Sequence, residues 1–228
     1  MRIRETTLAA GLFAAAAALV APGEARAQAT PNRDATWGVV SDVTMVASAA
    51  IVTLMPRVYF NDPESTVGWK GRWHLSVLAP VMTMTAATLL VDGPIKGAVK
   101  SPRPGCGDAL SAVGTTCDTY GGPSTHAFAA WGATGAGTGI FLVDALKYSR
   151  ASFNAPAFVF DVALPLSLSV VSSVGRGIDP GRGTRAFEDP TQIVTGAATG
   201  FIVGLVVGGG YALFQHPACP YGNGIICW

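Results

Sequence analysis

Five long apolar segments constrain the fold of this chain more than any other feature. They run approximately over residues 37–56, 73–99, 124–146, 157–175 and 190–214. Each is long enough for a helix of about five turns or more. None shows the alternation of apolar and polar residues that marks a half-buried strand. The sequence therefore predicts an all-α domain, a bundle of five helices.

The composition leaves open whether these helices cross a membrane. Half of the 228 residues are hydrophobic and 13% are charged, against about a quarter charged in an average soluble domain. The stretches 75–91 and 191–215 carry no charge, and a span needs about 20 apolar residues. Asp42, Asp144 and Asp161 lie inside other segments and favour a soluble exported bundle instead. Both arrangements stay open.

Charge indicates an orientation if the helices do span. Basic residues cluster in two loops at one end of the bundle: Arg57, Lys70, Arg72, Lys147 and Arg150. Such clusters mark the cytoplasmic side, so the glycine-rich loops 102–123 and 175–190 would face the periplasm or exterior. The formal net charge of +1 argues against a nucleic-acid partner.

The first 29 residues have the pattern of a signal peptide. Arg2 and Arg4 form a basic start, residues 12–20 are apolar, and Ala27-Gln28-Ala29 is a small-x-small cleavage site. The alternative is an uncleaved membrane helix, although the apolar run is short for one. We expect an exported protein with one domain over 30–228.

Four cysteines form two close pairs in loops: Cys106 with Cys117, and Cys219 with Cys227. An even number of cysteines in an exported chain predicts two disulfides with this pairing. A metal site is the rival hypothesis. It has less support, because neither pair has the C-x-x-C spacing and no histidine lies beside Cys106 or Cys117.

Three polar stretches lie at helix ends that share one end of the predicted bundle. They are K-x(6)-R-P at 96–104, Pro-Ser-Thr-His at 123–126, and the segment 182–192. Lys96, Arg103 and Arg182 supply the point charge and planar donor forks that suit phosphate oxygens. Each of them taken alone could equally be a solvated surface charge. Their common location predicts an oxyanion site.

The second stretch adds neutral donors and an acid–base group to this site. Ser124 and Thr125 open a predicted helix, where free N–H groups and the helix dipole favour an anion. His126 follows them and is suited to protonating a leaving oxygen near neutral pH. Alone, the first two could be simple helix caps and His126 an ordinary polar residue. Together they extend the predicted site from binding towards catalysis.

In this order the stretches resemble the motifs of the type 2 phosphatidic acid phosphatase / vanadium haloperoxidase family, which includes bacterial class A acid phosphatases. That family has K-x(6)-R-P, then P-S-G-H, then S-R-x(5)-H-x(3)-D. The first motif matches fully, and the second has Thr125 in place of glycine. The third keeps Arg182, with Gly181 where serine is usual. The resemblance covers nearly the whole mature chain and implies a helical bundle of that type.

The third motif departs from the family at the residues that carry its chemistry. Glu188 stands where the family has its nucleophilic histidine, and Gln192 where it has the aspartate that orients this histidine. His74 and His216 would lie roughly 33 and 40 Å away along the adjoining helices. The resemblance therefore implies His126 as general acid beside a missing nucleophile. It implies a phosphate-binding set of Lys96, Arg103, Ser124, Thr125 and Arg182.

From these features we expect a phosphatase-family protein that is inactive or weakly active on phosphomonoesters or lipid phosphates. The alternatives are a non-catalytic binder of phosphate or of a phospholipid headgroup, and a structural envelope protein. A route through a Glu188 acyl phosphate also stays open. The expected partners are a phosphate ester or phospholipid headgroup and a membrane. We expect no metal and no cofactor, since vanadate would need the missing histidine.

Overall fold

The computed structural model describes residues 33–54, 75–107, 110, 117–148, 153, 155–179, 181 and 184–214. Several predictions concern residues outside these ranges. Among them are the signal peptide, the Cys219–Cys227 disulfide and the role of Arg182.

Five long helices make up most of the described chain, so the all-α prediction is confirmed. Helix α1 covers Ala35–Leu54. Helix α2 covers Leu75–Leu90, widens into a π-helical turn at Val91–Ile95 and ends with Lys96–Val99. Helix α3 covers Thr125–Val143 and continues as Asp144–Tyr148. Helices α4 and α5 cover Ala155–Gly177 and Pro190–Phe214. The described residues contain no β-strand, and Ser101 forms an isolated antiparallel bridge with Gly122.

Helices α3 and α5 run parallel along a ladder of glycines. Glycines recur at every fourth position on one face of α5: Gly196, Gly200, Gly204 and Gly208. A methyl group on each would collide with the backbone of α3, at Ser124, Phe128, Gly132 and Ala136 in that order. The two backbones are therefore in direct contact, as in the small-residue interfaces of membrane helices. Because the contacts advance along both helices in the same order, the two helices point in the same direction and begin at the same end of the bundle.

Part of the interior of the bundle is joined by buried hydroxyl groups, while many large apolar side chains lie on its surface. Helices α1, α3 and α4 are joined by buried hydroxyls: Ser41 lies 3.2 Å from Ser172, and Ser169 lies 2.8 Å from Thr134 and 3.4 Å from Ser48. Large apolar side chains point outward on α1, α4 and α5, among them Val39, Val43, Val170, Val174, Val194, Ile202 and Val206. This distribution suits an apolar surrounding better than water.

Three helices are long and apolar enough to cross a membrane, namely Ala35–Thr53, Ala155–Gly177 and Pro190–Leu213. They indicate membrane association. The predicted span at 191–215 is among them, and the one at 75–91 is not. Asp161 lies within α4, the second of these three helices, but its side chain is buried in the bundle, where an acidic residue inside a membrane is tolerated. Arg57, Lys70, Arg72 and Arg150 lie outside the described residues, so the orientation stays a prediction.

The glycine ladder predicts a sharp contrast between two alanine substitutions on α5. Gly204→Ala should destabilise the protein by about 1–3 kcal/mol, because its methyl group has no room beside the backbone of Gly132. Gly210 faces open space, so Gly210→Ala should be neutral or stabilising by up to about 1 kcal/mol through helix propensity. Thermal unfolding in detergent micelles measures both. Equal stability of the two variants would contradict the ladder.

Candidate functional site

The three predicted motifs meet where α3 and α5 begin and α2 and α4 end. The backbone N–H of Ser124 donates to the carbonyl of Gln192 (2.9 Å), which ties the start of α3 to the first turn of α5. The loop before α5 folds back on the end of α4, because the N–H groups of Phe187 and Glu188 both donate to the carbonyl of Arg176 (3.0 and 3.2 Å). These backbone bonds fix Glu188 between the two helices.

Glu188 is the buried centre of the site, with 0% of its surface exposed. Its Oε1 lies 3.3 Å from Nη2 of Arg176 and 3.9 Å from Nη1 of Arg103. Burial alone would raise the pKa of this carboxyl. The positive charge of Arg176, assisted by His126, the Ser124 hydroxyl and Arg103, outweighs burial and lowers the pKa of Glu188 below its ordinary value. The residue is therefore an ionised carboxylate at neutral pH.

Arg176 is a site residue that the sequence analysis missed. It lies in the last turn of α4, is only 6% exposed, and stacks on the ring of Phe187 at 4.4 Å. The predicted third cation, Arg182, was chosen by its spacing from Glu188 and lies outside the described residues. Arg176 reaches the carboxylate because the loop folds back on the helix. The one feature of the sequence that could have indicated Arg176 as a site residue is its position directly after an apolar segment.

Arg103 is held over the site by the loop that follows α2. Its Nε and Nη2 donate to the carbonyl and hydroxyl of Thr119 (3.3 and 3.2 Å), and Nη1 donates to the carbonyl of Phe187 (3.4 Å). The predicted disulfide between Cys106 and Cys117 is present, with the two Cα atoms 5.6 Å apart. It joins the two sides of the loop that carries Arg103 and Thr119.

Lys96 lies at the site but its charge is already paired. It is 3% exposed, and its Nζ is 3.1 Å from Oδ1 of Asp92 one turn earlier on α2. The same oxygen accepts a hydrogen bond from the Thr125 hydroxyl (2.8 Å). Burial lowers the pKa of Lys96, and Asp92 opposes this. Asp92, which the motifs did not indicate, thus engages two of the predicted phosphate-binding side chains.

His126 has a carboxylate partner from α1. Its Nε2 lies 2.8 Å from Oδ1 of Asp42, and its side chain is 27% exposed. Burial of the ring, followed by the positive charge of Arg176, lowers the pKa of His126, while Asp42 opposes the shift. In the sequence, Asp42 stands out only as an acid inside an apolar segment, and none of the three motifs indicates a role for it in the site.

Gln192 clamps the site together instead of orienting Glu188. Its side-chain Oε1 accepts a hydrogen bond from the backbone N–H of Asp189 (3.1 Å). In return, the backbone N–H of Gln192 donates to the side-chain Oδ1 of Asp189 (2.9 Å). This reciprocal pair is a capping box at the start of α5. Its Nε2 donates to the Ser101 hydroxyl and the Pro102 carbonyl, both at 2.8 Å. Gln192 therefore fastens the Arg103 loop to α5.

Arg33 closes the site from the start of α1 and is a second cation that the motifs did not indicate. It donates to the carbonyl of Ala186 and to that of Pro104 (3.3 Å), and it lies 5.6 Å from the centre of the Phe187 ring. Burial, with the charges of Arg103 and Arg176, lowers its pKa to about 10. Arg33 thus lies close enough to Arg103 and Arg176 for their positive charges to add to the effect of burial.

The site contains no visible metal-binding arrangement, as far as the described ranges extend. No group of three or more His, Cys, Asp or Glu side chains is placed to hold an ion there. No protein-family model, curated protein or solved structure matches the chain. The geometry and the motif resemblance therefore carry the functional argument.

The clamp predicts a selective effect of Gln192→Glu. The carboxylate can still accept from the N–H of Asp189, but it cannot donate to Ser101 and Pro102, so the variant should lose about 1–3 kcal/mol of stability. Thr191→Glu adds the same charge at the exposed neighbouring position and should change little. Thermal unfolding of both variants measures this difference. If Gln192→Glu were as stable as the wild-type protein, Gln192 would not be the clamp described above.

The buried ion pairs predict a pH-dependent cost of Glu188→Gln. At neutral pH the change leaves Arg176 and Arg103 without their anion, a loss of about 3–5 kcal/mol for a broken buried pair. Because the folded-state pKa of Glu188 is lowered, the wild-type advantage is complete above the unfolded-state pKa and disappears as the pH falls through the folded-state one. Unfolding measured from pH 7 to pH 3 should show the two proteins converging. A constant difference would contradict this.

Proposed function

We propose that this protein is a membrane-associated bundle of the type 2 phosphatidic acid phosphatase / haloperoxidase type whose oxyanion site no longer hydrolyses phosphate esters. One observation carries the proposal: the carboxylate of Glu188, fully buried, lies 3.3 and 3.9 Å from two guanidinium groups. In a phosphate-binding site those guanidiniums would contact phosphate oxygens. Here the protein supplies the anion itself.

The electrostatics of the pocket support this proposal. A phosphate that contacts Arg176 and Arg103 would come within a few ångströms of the ionised Glu188. Two like unit charges 4 Å apart repel by about 4 kcal/mol at an effective dielectric constant of 20, and a dianion would be repelled more. Phosphate would also have to break the two ion pairs of Glu188. Productive binding therefore requires Glu188 to move away or to be neutralised.

The nucleophile is the second difficulty for hydrolysis. His126 is the only histidine in the described part of the chain, and its Nε2 faces Asp42. A carboxylate held by two guanidiniums is a poor nucleophile. Attack on phosphorus would turn it into an acyl phosphate, and the carboxylate would lose the negative charge that its ion pairs with Arg176 and Arg103 depend on. The acyl-phosphate route through Glu188 is therefore the less favoured chemistry.

A second candidate function is the binding of a phosphate ester or a phospholipid headgroup without turnover. It is favoured by the four cationic side chains that lie at the site, those of Lys96, Arg33, Arg103 and Arg176. An anion could bind to the outer guanidinium, that of Arg33, while Glu188 stays in place.

The proposal predicts no measurable hydrolysis of an aryl phosphate by the purified wild-type protein. Glu188→His introduces an imidazole at the nucleophile position and should produce a small gain of turnover, with Gln192 retained because it holds the Arg103 loop. Glu188→Gln is the matched control, since it removes the charge without adding a nucleophile. Wild-type turnover of about 1–10³ per second, abolished in Glu188→Gln, would overturn the proposal.

Anion binding separates the two candidate functions. Inorganic phosphate should raise the unfolding temperature of Glu188→Gln, where two guanidiniums are vacant, by an amount equivalent to about 2.7 kcal/mol at 100 times the dissociation constant. The wild-type protein should respond little, and chloride at equal ionic strength is the control for screening. An equal response of wild type would favour the binder. No response of either protein would refute an oxyanion site.

A further inference from the structure

Two internal carboxylates of the site differ in how easily they can leave it. Glu188 is fully buried, whereas the side chain of Asp92 on α2 is 61% exposed. We propose that Asp92 is a displaceable internal anion, which holds Lys96 and Thr125 until an external oxyanion takes its place. The inference rests on the oxyanion site of the proposed function and names the residue that controls access to one half of it.

The contacts of Asp92 are those that one oxygen of a bound oxyanion would make. Its Oδ1 lies 3.1 Å from Nζ of Lys96 and accepts a hydrogen bond of 2.8 Å from the hydroxyl of Thr125. One oxygen atom thus receives an ammonium group from the end of α2 and a hydroxyl group from the first turn of α3. An ammonium group binds a phosphate oxygen through the same kind of charge-assisted hydrogen bond. Lys96 and Thr125 therefore form an outer half-site, distinct from the pair of guanidiniums that holds Glu188.

Lys96 needs an anion at this position because it is buried. It is only 3% exposed, and a buried ammonium group without a partner is costly. Asp92 can therefore leave only when another anion takes over the contact, so the step is an exchange of anions. An ordinary ion pair between residues four apart lies on a solvated helix face. Here the lysine is buried, and the shared oxygen also reaches a second helix through Thr125.

Asp92 can leave the site at a lower cost than Glu188. A carboxylate that is 61% exposed is already largely hydrated, and an ion pair that solvent reaches contributes little to stability. Moving Glu188 would instead leave two buried guanidinium groups without their anion, which is strongly destabilising. The outer half-site is therefore the first place at which an external oxyanion can displace a carboxylate of the protein.

Phosphate binding by Asp92→Asn tests the inference. The asparagine can still accept a hydrogen bond from Thr125, but it neither competes with phosphate as an anion nor repels it. Phosphate should therefore bind about fivefold more tightly than to the wild-type protein, at the upper end of what a solvent-exposed ion pair contributes. The affinity is read from the rise of the unfolding temperature with inorganic phosphate in detergent micelles, with chloride keeping the ionic strength constant.

Two further variants show whether the gain comes from Lys96. Asp179→Asn is the matched control, because it removes an exposed carboxylate at the same end of the bundle, one that accepts from the backbone N–H of Gly181. It should leave the phosphate affinity unchanged. Combining Asp92→Asn with Lys96→Met should abolish the gain, because the ammonium group is absent. Circular dichroism verifies that each variant is folded, and Asp92→Ser takes the place of Asp92→Asn if the latter is not.

The inference fails if Asp92→Asn binds phosphate no more tightly than the wild-type protein, if Asp179→Asn gains as much, or if the gain persists without Lys96. Asp92 is then an ordinary ion-pair partner on α2. The phosphate response of Glu188→Gln separates this failure from that of the proposed function, because it reports on the two guanidiniums and leaves Asp92 in place. If Glu188→Gln responds and Asp92→Asn does not, only the inference is wrong. If neither responds, the chain has no oxyanion site and both are wrong.

Discussion

The direct backbone contact between α3 and α5 is the constraint on which the rest of the structure depends. Four glycines in register leave no freedom for one helix to slide along the other. The first of them, Gly196, lies against the backbone of Ser124, so the contact also fixes where both helices begin. The hydrogen bond from Ser124 to Gln192 and the burial of Glu188 follow from this placement. A site built from two helix starts needs this kind of rigid register.

The second organising interaction is the neutralisation of a cationic pocket by an internal carboxylate. Arg33, Arg103 and Arg176 converge on the loop that carries Phe187 and Glu188. Buried charges of one sign are tolerated only with a partner, and Glu188 provides it. Under the proposed function, the carboxylate that stabilises the pocket also excludes an oxyanion from its centre, so the stability of the pocket and the absence of phosphate-ester hydrolysis would both result from one residue.

The sequence predicted the architecture well, because long apolar runs and glycine- or proline-rich breaks determine helix bounds locally. It also predicted that Lys96, Arg103, Ser124, His126 and Glu188 lie at one end, since consecutive helices of a bundle alternate in direction. It did not predict the contributions of Arg33, Asp42, Asp92 and Arg176. Arg33 and Asp42 are far away in the chain from the residues they contact. Asp92 and Arg176 are nearer in the chain, but they lie in helical turns beside the motifs and not within them. The role of Gln192 was assigned by analogy, whereas its contacts make it a cap and a clamp.

The central claim is that the carboxylate of Glu188 occupies the place of an oxyanion between Arg103 and Arg176. A cryo-EM or crystallographic map of the wild-type protein prepared with millimolar vanadate tests it most directly. The account predicts density for the Glu188 carboxylate between the two guanidinium groups, and no vanadate there. A vanadate ion bound to both guanidiniums, with Glu188 turned out of the pocket, would contradict it.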